Sequence, residues 1–239
     1  MIHAVHEDNH LLAVNKPAGE LTQGDAGGEP CLVDRAKSYI KEKYGKPGAV
    51  FLVPAHRLDR PVSGLLLLAR TGKAASRLAR QFRDRLARKW YHAVVELEKD
   101  LVDMAEGRVW SMRNGFWPGT DGASSRVVRS GSAGSRIAEL ELTVVRRQGG
   151  RALLEVRPLT GYKHQIRAQL AWAGMPVAGD HRYGPRGRPA RPVLFGKGRA
   201  VALHASRLDI SHPVGGKTVR LEAAWPPEFV SLATLDQGS

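Results

Sequence analysis

Leu65-Leu66-Leu67-Leu68-Ala69 is apolar at every position, and this run constrains the chain more than any other feature. Side chains alternate between the two faces of a strand, so a strand of this composition persists in water only when layers cover it on both sides. It is also the longest aliphatic run in the chain, far short of the ~20 residues that a membrane-spanning helix needs. A charged loop, His56 to Gly64, feeds directly into it, and Arg70-Thr71-Gly72 ends it. The sequence therefore predicts a strand in the middle of a covered sheet.

The flanking segments supply the cover. Ile2 to Val5 and Leu11 to Val14 read as a hairpin around Glu7-Asp8-Asn9, and Leu32 to Tyr44 reads as a helix that stops before Gly45-Lys46-Pro47-Gly48. Thr71 is placed to cap a second helix, in which Ala74, Leu78, Phe82 and Leu86 recur at four-residue spacing while Arg77, Arg80 and Arg83 fall on other faces. Tyr91 to Leu97 is strand-like. Asp103 to Gly134, rich in Gly, Ser and isolated Arg, reads as loops and short edge strands. Alternation returns at Leu140, Leu142 and Val144, and Gln148-Gly149-Gly150 turns the chain into a second strand through Leu154 and Val156. Thr160 is the expected cap of a helix carrying Ile166 and Leu170, ended by Gly174 and Pro176. A basic loop follows from Arg182 to Arg199, then two strands around Val201 to His204 and Val219 to Ala223. Hairpins outnumber crossovers, so the expected fold is α+β: a mixed, mainly antiparallel sheet with helices packed on it, in one domain over residues 1–239.

Lys and Arg number 37 against 23 Asp and Glu, a formal net charge of +14, so the folded surface attracts polyanions. Nucleic acid is the leading partner class. One cysteine, Cys31, rules out an intramolecular disulfide and any Cys-based zinc site, and it fits a reducing compartment. The N-terminus has neither secretory nor transit-peptide character, which makes the cytoplasm the expected location. No His-Glu-x-x-His spacing, phosphate-binding glycine loop or Gly-x-Ser-x-Gly elbow occurs, so the expected chemistry needs no metal and no cofactor.

Three constellations carry candidate chemistry. In His56-Arg57-Leu58-Asp59-Arg60-Pro61-Val62-Ser63-Gly64, Asp59 lies between two arginines that would hold it ionised, as a nucleophile or base requires; the same Asp could instead cap the turn before the strand. In Thr160-Gly161-Tyr162-Lys163-His164-Gln165-Ile166-Arg167, with Gly179-Asp180-His181-Arg182-Tyr183-Gly184 after it, Lys163 and Arg167 are one helical turn apart at a helix start. That spacing suits an anion site, or simply a solvated basic face. In Arg88-Lys89-Trp90-Tyr91-His92, a tyrosine opens a strand after two cations, where it could stack on a base or serve as a core residue.

These blocks and their order resemble the RluA-type pseudouridine synthases, enzymes that isomerise uridine within structured RNA. Asn15-Lys16-Pro17-Ala18-Gly19 is similar to the family's N-terminal signature, His56 to Gly64 to its catalytic loop, and Arg88 to Tyr91 to its tyrosine motif. Gly161 to Arg167, Gly179 to Gly184, His204-Ala205 and His212-Pro213 match its later patterns. The resemblance covers roughly Ile2 to Pro227. It implies that Asp59 is the catalytic carboxylate, that Tyr91 packs on the target base and takes part in proton transfer, and that Arg167 pairs with Asp59. It further implies RNA contacts from His56, Arg57, Arg60, Lys163, His164 and Gln165, with Arg57 filling the gap left by a flipped nucleotide. Tyr162-Lys163 and Pro61-Val62 depart from the commoner residues at those places. Since the resemblance starts at Ile2, a catalytic domain without the S4-type RNA-binding domain of many relatives is expected, and the family's usual state implies a monomer. The Arg-rich segment Ser76 to Arg88 and the loop Arg182 to Arg199 are expected to supply further phosphate contacts. Two other functions compete: a non-catalytic RNA-binding or chaperone module on the same fold, and a base-excising glycosidase.

Overall fold

The computed structural model describes residues 2–24, 27–98, 105–119, 124–184, 193–194 and 199–234. In chain order the elements are β1 (Ala4–Glu7), β2 (Leu11–Lys16), α1 (Leu32–Lys43), β3 (Val53–Pro54), β4 (Ser63–Ala69), α2 (Gly72–Arg83), β5 (Arg88–Glu96), β6 (Val109–Trp117), β7 (Arg126–Val128), β8 (Arg136–Gln148), β9 (Arg151–Pro158), α3 (Gln165–Trp172), β10 (Val193–Leu194), β11 (Arg199–Ala200), β12 (Leu203–Ser211), β13 (Thr218–Glu222) and α4 (Pro227–Ala233). The residues gather into two compact units, where the sequence led us to expect one domain. The first comprises residues up to 89 together with 204–225; the second takes most of the intervening chain and the C-terminal residues. Because the chain returns to the first unit after leaving it, no linker marks the division in the sequence.

In the first unit, β4 is the buried strand that the leucine run demanded. It pairs antiparallel with β2 from Leu11↔Ala69 to Lys16↔Gly64, and parallel with β12 at His204↔Ser63 and Ala205↔Gly64. All seven of its residues are buried. Leu65, Leu67 and Ala69 pack with Ala74 and Leu78 of α2, while Leu66 and Leu68 pack with Leu32, Val33, Ala36 and Ile40 of α1. Each fully buried leucine contributes ~1.5–3 kcal/mol, so this strand anchors the unit. The Thr71 hydroxyl accepts the Ala74 N–H, the cap that the sequence indicated. The helix it starts is shorter than expected. It ends at Arg83, Arg85 takes a left-handed conformation (φ 58°), and Leu86 is 64% exposed instead of continuing the apolar stripe.

The second unit holds an antiparallel sheet in the order β5-β9-β8-β6-β7. The β8–β9 hairpin stands where alternation placed it. Residues 109–117, in a stretch expected as loops and short edge strands, form a nine-residue strand paired with β8 along most of its length and with β7 on its other side. Its pattern was hidden by Asn114, a polar residue at a core position, whose side-chain carbonyl accepts from the Gln169 amide at 2.9 Å. Thr160 does not cap α3. That helix starts at Gln165 after His164, which is left-handed (φ 57°), so Lys163 precedes the helix and shares no helical face with Arg167. Most of the expected basic loop from Arg182 to Arg199 lies outside the described residues. No helix among the described residues is long and apolar enough to cross a membrane.

Candidate active site

Asp59 sits on a loop whose backbone is gripped on both sides. The Thr22 hydroxyl donates to the Leu58 carbonyl at 2.9 Å and accepts the Leu58 N–H at 3.3 Å. On the other side, the Arg60 carbonyl accepts from the Gly19 N–H at 2.8 Å and from the Lys16 ammonium at 3.3 Å. The Asp59 carbonyl itself accepts the Val62 N–H, closing a turn into β4. The segment from Asn15 to Thr22 is thus a template for the loop, and β2 fixes that template to β4 through its register. The close passage of Gly64 past Ala205 completes the frame: a Cβ on Gly64 would meet the Ala205 carbonyl oxygen at 2.3 Å, and its φ of +114° suits glycine alone.

Lys16 is the unusual member. Its side chain is 0% exposed, and its ammonium donates to the carbonyls of Pro17 (2.9 Å), Glu20 (2.8 Å) and Arg60 (3.3 Å). Burial pushes its pKa down to about 7, against the pull of the Glu20 and Asp59 carboxylates. An ammonium so placed neutralises charge beside Asp59 while satisfying three carbonyls of the loop and its template.

The remaining residues of the loop divide by exposure. Arg57 is exposed. Arg60 is half exposed; its guanidinium grips the Glu29 carboxylate at 2.7 and 3.0 Å and donates to the Gly19 carbonyl. His56 has a structural task. Its Nε2 accepts the Leu67 N–H at 3.2 Å, its ring stacks on Phe82 at 5.1 Å, and burial, reinforced by Lys89, pushes its pKa down to about 3. It is neutral at physiological pH.

In the second unit, Tyr91 lies on β5 opposite Val156 and is 9% exposed. Arg167, on α3, is buried, and Asp180 accepts from its Nε at 2.7 Å and its Nη2 at 2.9 Å. Asp180 is itself fully buried and also accepts the backbone N–H groups of Arg182 and Tyr183. Burial alone would raise its pKa, but the Arg167 guanidinium and the two N–H groups hold it below the usual carboxylate value. The guanidinium lies over the Tyr183 ring at 5.3 Å, and the Tyr183 hydroxyl bonds His164 Nδ1 at 3.0 Å and accepts the Ser125 N–H. The Ser125 hydroxyl in turn donates to the Lys163 carbonyl. Asp180 stands in a motif that the sequence picked out but was given no role there; the Gly-Asp pair is the sequence sign of the turn that its carboxylate closes.

Gln165, expected as an RNA contact, is 3% exposed and spent inside the protein. Its Oε1 accepts from the Thr160 hydroxyl and the Tyr162 N–H, and its Nε2 donates to the Glu139 carbonyl and to Gln169. It holds the start of α3, leaving Lys163 and His164, both half-buried, as the polar groups nearer the surface there.

Residues 10–172 match the family model described as RNA pseudouridylate synthase. The chain belongs to this family. Its members are isomerases that act on uridine in RNA. It is 32% identical to the dual-specificity RNA pseudouridine synthase RluA of Haemophilus influenzae, over 92% of this chain and 91% of that one. It is 34% identical to tRNA pseudouridine synthase C of Yersinia pestis, over 97% and 90%. With tRNA pseudouridine synthase C of Pectobacterium carotovorum subsp. carotovorum the identity is 31% over 98% of this chain, which spans 62% of that relative's length. Among solved structures, human RNA pseudouridylate synthase domain containing 4 superposes with a TM-score of 0.73 at 23% identity, covering 95% of this chain and 90% of that one, and so shares the fold.

Proposed function

We propose that the protein converts specific uridines of a tRNA or ribosomal RNA stem-loop into pseudouridine, with Asp59 as the catalytic carboxylate. The observation that carries this reading is the family match over residues 10–172, which spans Asp59, Tyr91 and Arg167. In the reaction the bond from the ribose carbon to N1 breaks and a bond to C5 forms; C5 gives up its hydrogen to solvent and N1 gains one, so the product is an isomer. Asp59 acts as a carboxylate, either bonding covalently to the nucleoside or taking a ribose proton. The backbone clamps on Leu58 and Arg60 support this role, because they fix the stretch of chain from which the carboxylate projects. Tyr91 packs on the target base and takes part in proton transfer, and Arg167, held by Asp180, is the cation that the family resemblance assigns to the reaction. The uridine is flipped out of its stack at a cost of a few kcal/mol, which contacts from Arg57, Arg60, Lys163 and His164 offset. His56 and Gln165 serve by holding the segments that carry these contacts. The enzyme works as a monomer in the cytoplasm, without metal or cofactor.

The test is to incubate the protein with unmodified tRNA and, separately, with ribosomal RNA, and to map new pseudouridines by carbodiimide-dependent primer-extension stops. Stops at discrete uridines support the reading. Release of free uracil would assign the chemistry to base excision, and no change in either RNA would remove catalysis from the account.

A further inference from the structure

We infer a second RNA-binding surface in the first unit, formed by the outer face of α2 and the turn after it, which grips the backbone of the substrate RNA away from the modified uridine. The inference rests on the RNA substrate proposed above. Residues 70–89 hold eight Lys or Arg and one acid, a net +7 that is half of the whole chain's formal charge. The fold sorts these cations. Ala74 and Leu78 turn into the core, so Lys73, Arg80 and Arg83 line the opposite, exposed stripe of the helix. Lys73 and Arg80 are about 10 Å apart along the axis at 1.5 Å per residue, far enough for the two side chains to contact separate phosphates of one backbone. Asp84, the acid in this segment, lies near the Arg83 guanidinium at 3.5 Å.

The turn adds an apolar contact. Left-handed Arg85 swings Leu86 outward, where it borders a shallow cavity of about 250 Å³ with Arg88, Asp209, Ile210, Ser211 and Thr218. Asp209 does not spoil the field, because Arg207 grips its carboxylate at 2.5 and 2.9 Å and Arg220 stands at 3.6 Å. An exposed leucine ringed by arginines suits the ribose or splayed base of one nucleotide, with phosphates on the cations either side. A lipid surface fits less well, since the apolar side of α2 is already buried against β4 and the exposed stripe is cationic.

The test measures affinity of the full chain for unfractionated tRNA and for deproteinised ribosomal RNA at 50–300 mM salt. The Lys73→Gln/Arg80→Gln/Arg83→Gln variant loses three exposed charges and no core contact, so its melting temperature is unchanged. Three lost phosphate contacts lower the slope of log K against log salt by about 2–3, and near 0.15 M each contact is worth about fivefold, or roughly 100-fold together. Leu86→Ser lowers affinity about fivefold and leaves the slope alone, because an apolar contact releases no counterion. Equal slopes and affinities for wild type and triple variant overturn the inference, as does a triple variant that loses binding only to anionic phospholipid vesicles. These readouts do not depend on turnover: an inactive wild type with a variant-sensitive slope refutes the catalytic proposal and keeps the surface, and the reverse result does the opposite.

Discussion

Replacing Lys16 by methionine tests how the loop that carries Asp59 is held. The ammonium is fully buried, bonded to three carbonyls and shifted from 10.5 to about 7. Between those two values the unfolded chain binds the extra proton, so stability from this group rises with pH over roughly 7 to 10.5 and is flat below it. At 1.36 kcal/mol per unit, the full rise is about 5 kcal/mol. Methionine keeps the volume but cannot titrate, and it takes a donor from the carbonyls of Pro17 and Glu20, at a cost of ~1–3 kcal/mol for each one left unsatisfied, while the Arg60 carbonyl keeps the Gly19 N–H. Near pH 7 that loss is partly offset, because the buried charge disappears with it. The stability gap between wild type and Lys16→Met therefore widens as the pH rises from 7 to 10, by several kcal/mol. Urea unfolding followed by tryptophan fluorescence at half-unit pH steps measures it. Parallel stability curves from pH 6.5 to 10 would show that Lys16 does not titrate as described.

Asp180→Ala removes the carboxylate that grips the buried Arg167 guanidinium at two nitrogens, and we expect a loss of about 3–5 kcal/mol in denaturant unfolding. The wild-type contribution of Asp180 is present above its unfolded pKa of 3.8 and disappears as the pH falls through its lower folded value, so the variant's acid-unfolding curve should be flatter below pH 4. Gly64→Ala forces a Cβ onto the backbone of Ala205 at a positive φ; circular dichroism should report a fall in melting temperature of well over 10 °C or no cooperative transition. Arg85→Gly relieves a left-handed arginine and should gain about 0.5–1 kcal/mol, read by the same melt, whereas a loss would mean that the Arg85 side chain holds the turn.

The parts of the fold that were legible in the sequence are those whose buried faces are apolar throughout. The leucine run announced a doubly covered strand, and the helices that cover it, α1 and α2, were visible from their periodicity and from the Thr71 cap. The sequence misled where polar groups occupy the core. Asn114 concealed β6, and Gln165 looked like a surface contact because nothing in the sequence says that Thr160, Glu139 and Gln169 would surround it. Thr160 is the right residue type for a helix cap, but its hydroxyl donates to Gln165 Oε1 and accepts the Glu139 N–H, and takes no N–H from the first turn of α3. Asp59, Tyr91 and Arg167 were assigned to the site through resemblance. Charge and spacing left each of them with an ordinary structural explanation, and the clamps on Leu58 and Arg60 come from residues some forty positions earlier, beyond the reach of local pattern.

The central claim is that Asp59 performs uridine isomerisation. Its most direct measurement is tritium release from RNA labelled at C5 of uridine, comparing wild type with Asp59→Ala in the absence of metal and cofactor, alongside the affinity of both proteins for the same RNA. The account predicts release by wild type and none by the variant, with RNA affinity unchanged within a few fold. Equal release by Asp59→Ala would contradict it, and would place the catalytic carboxylate elsewhere in the chain.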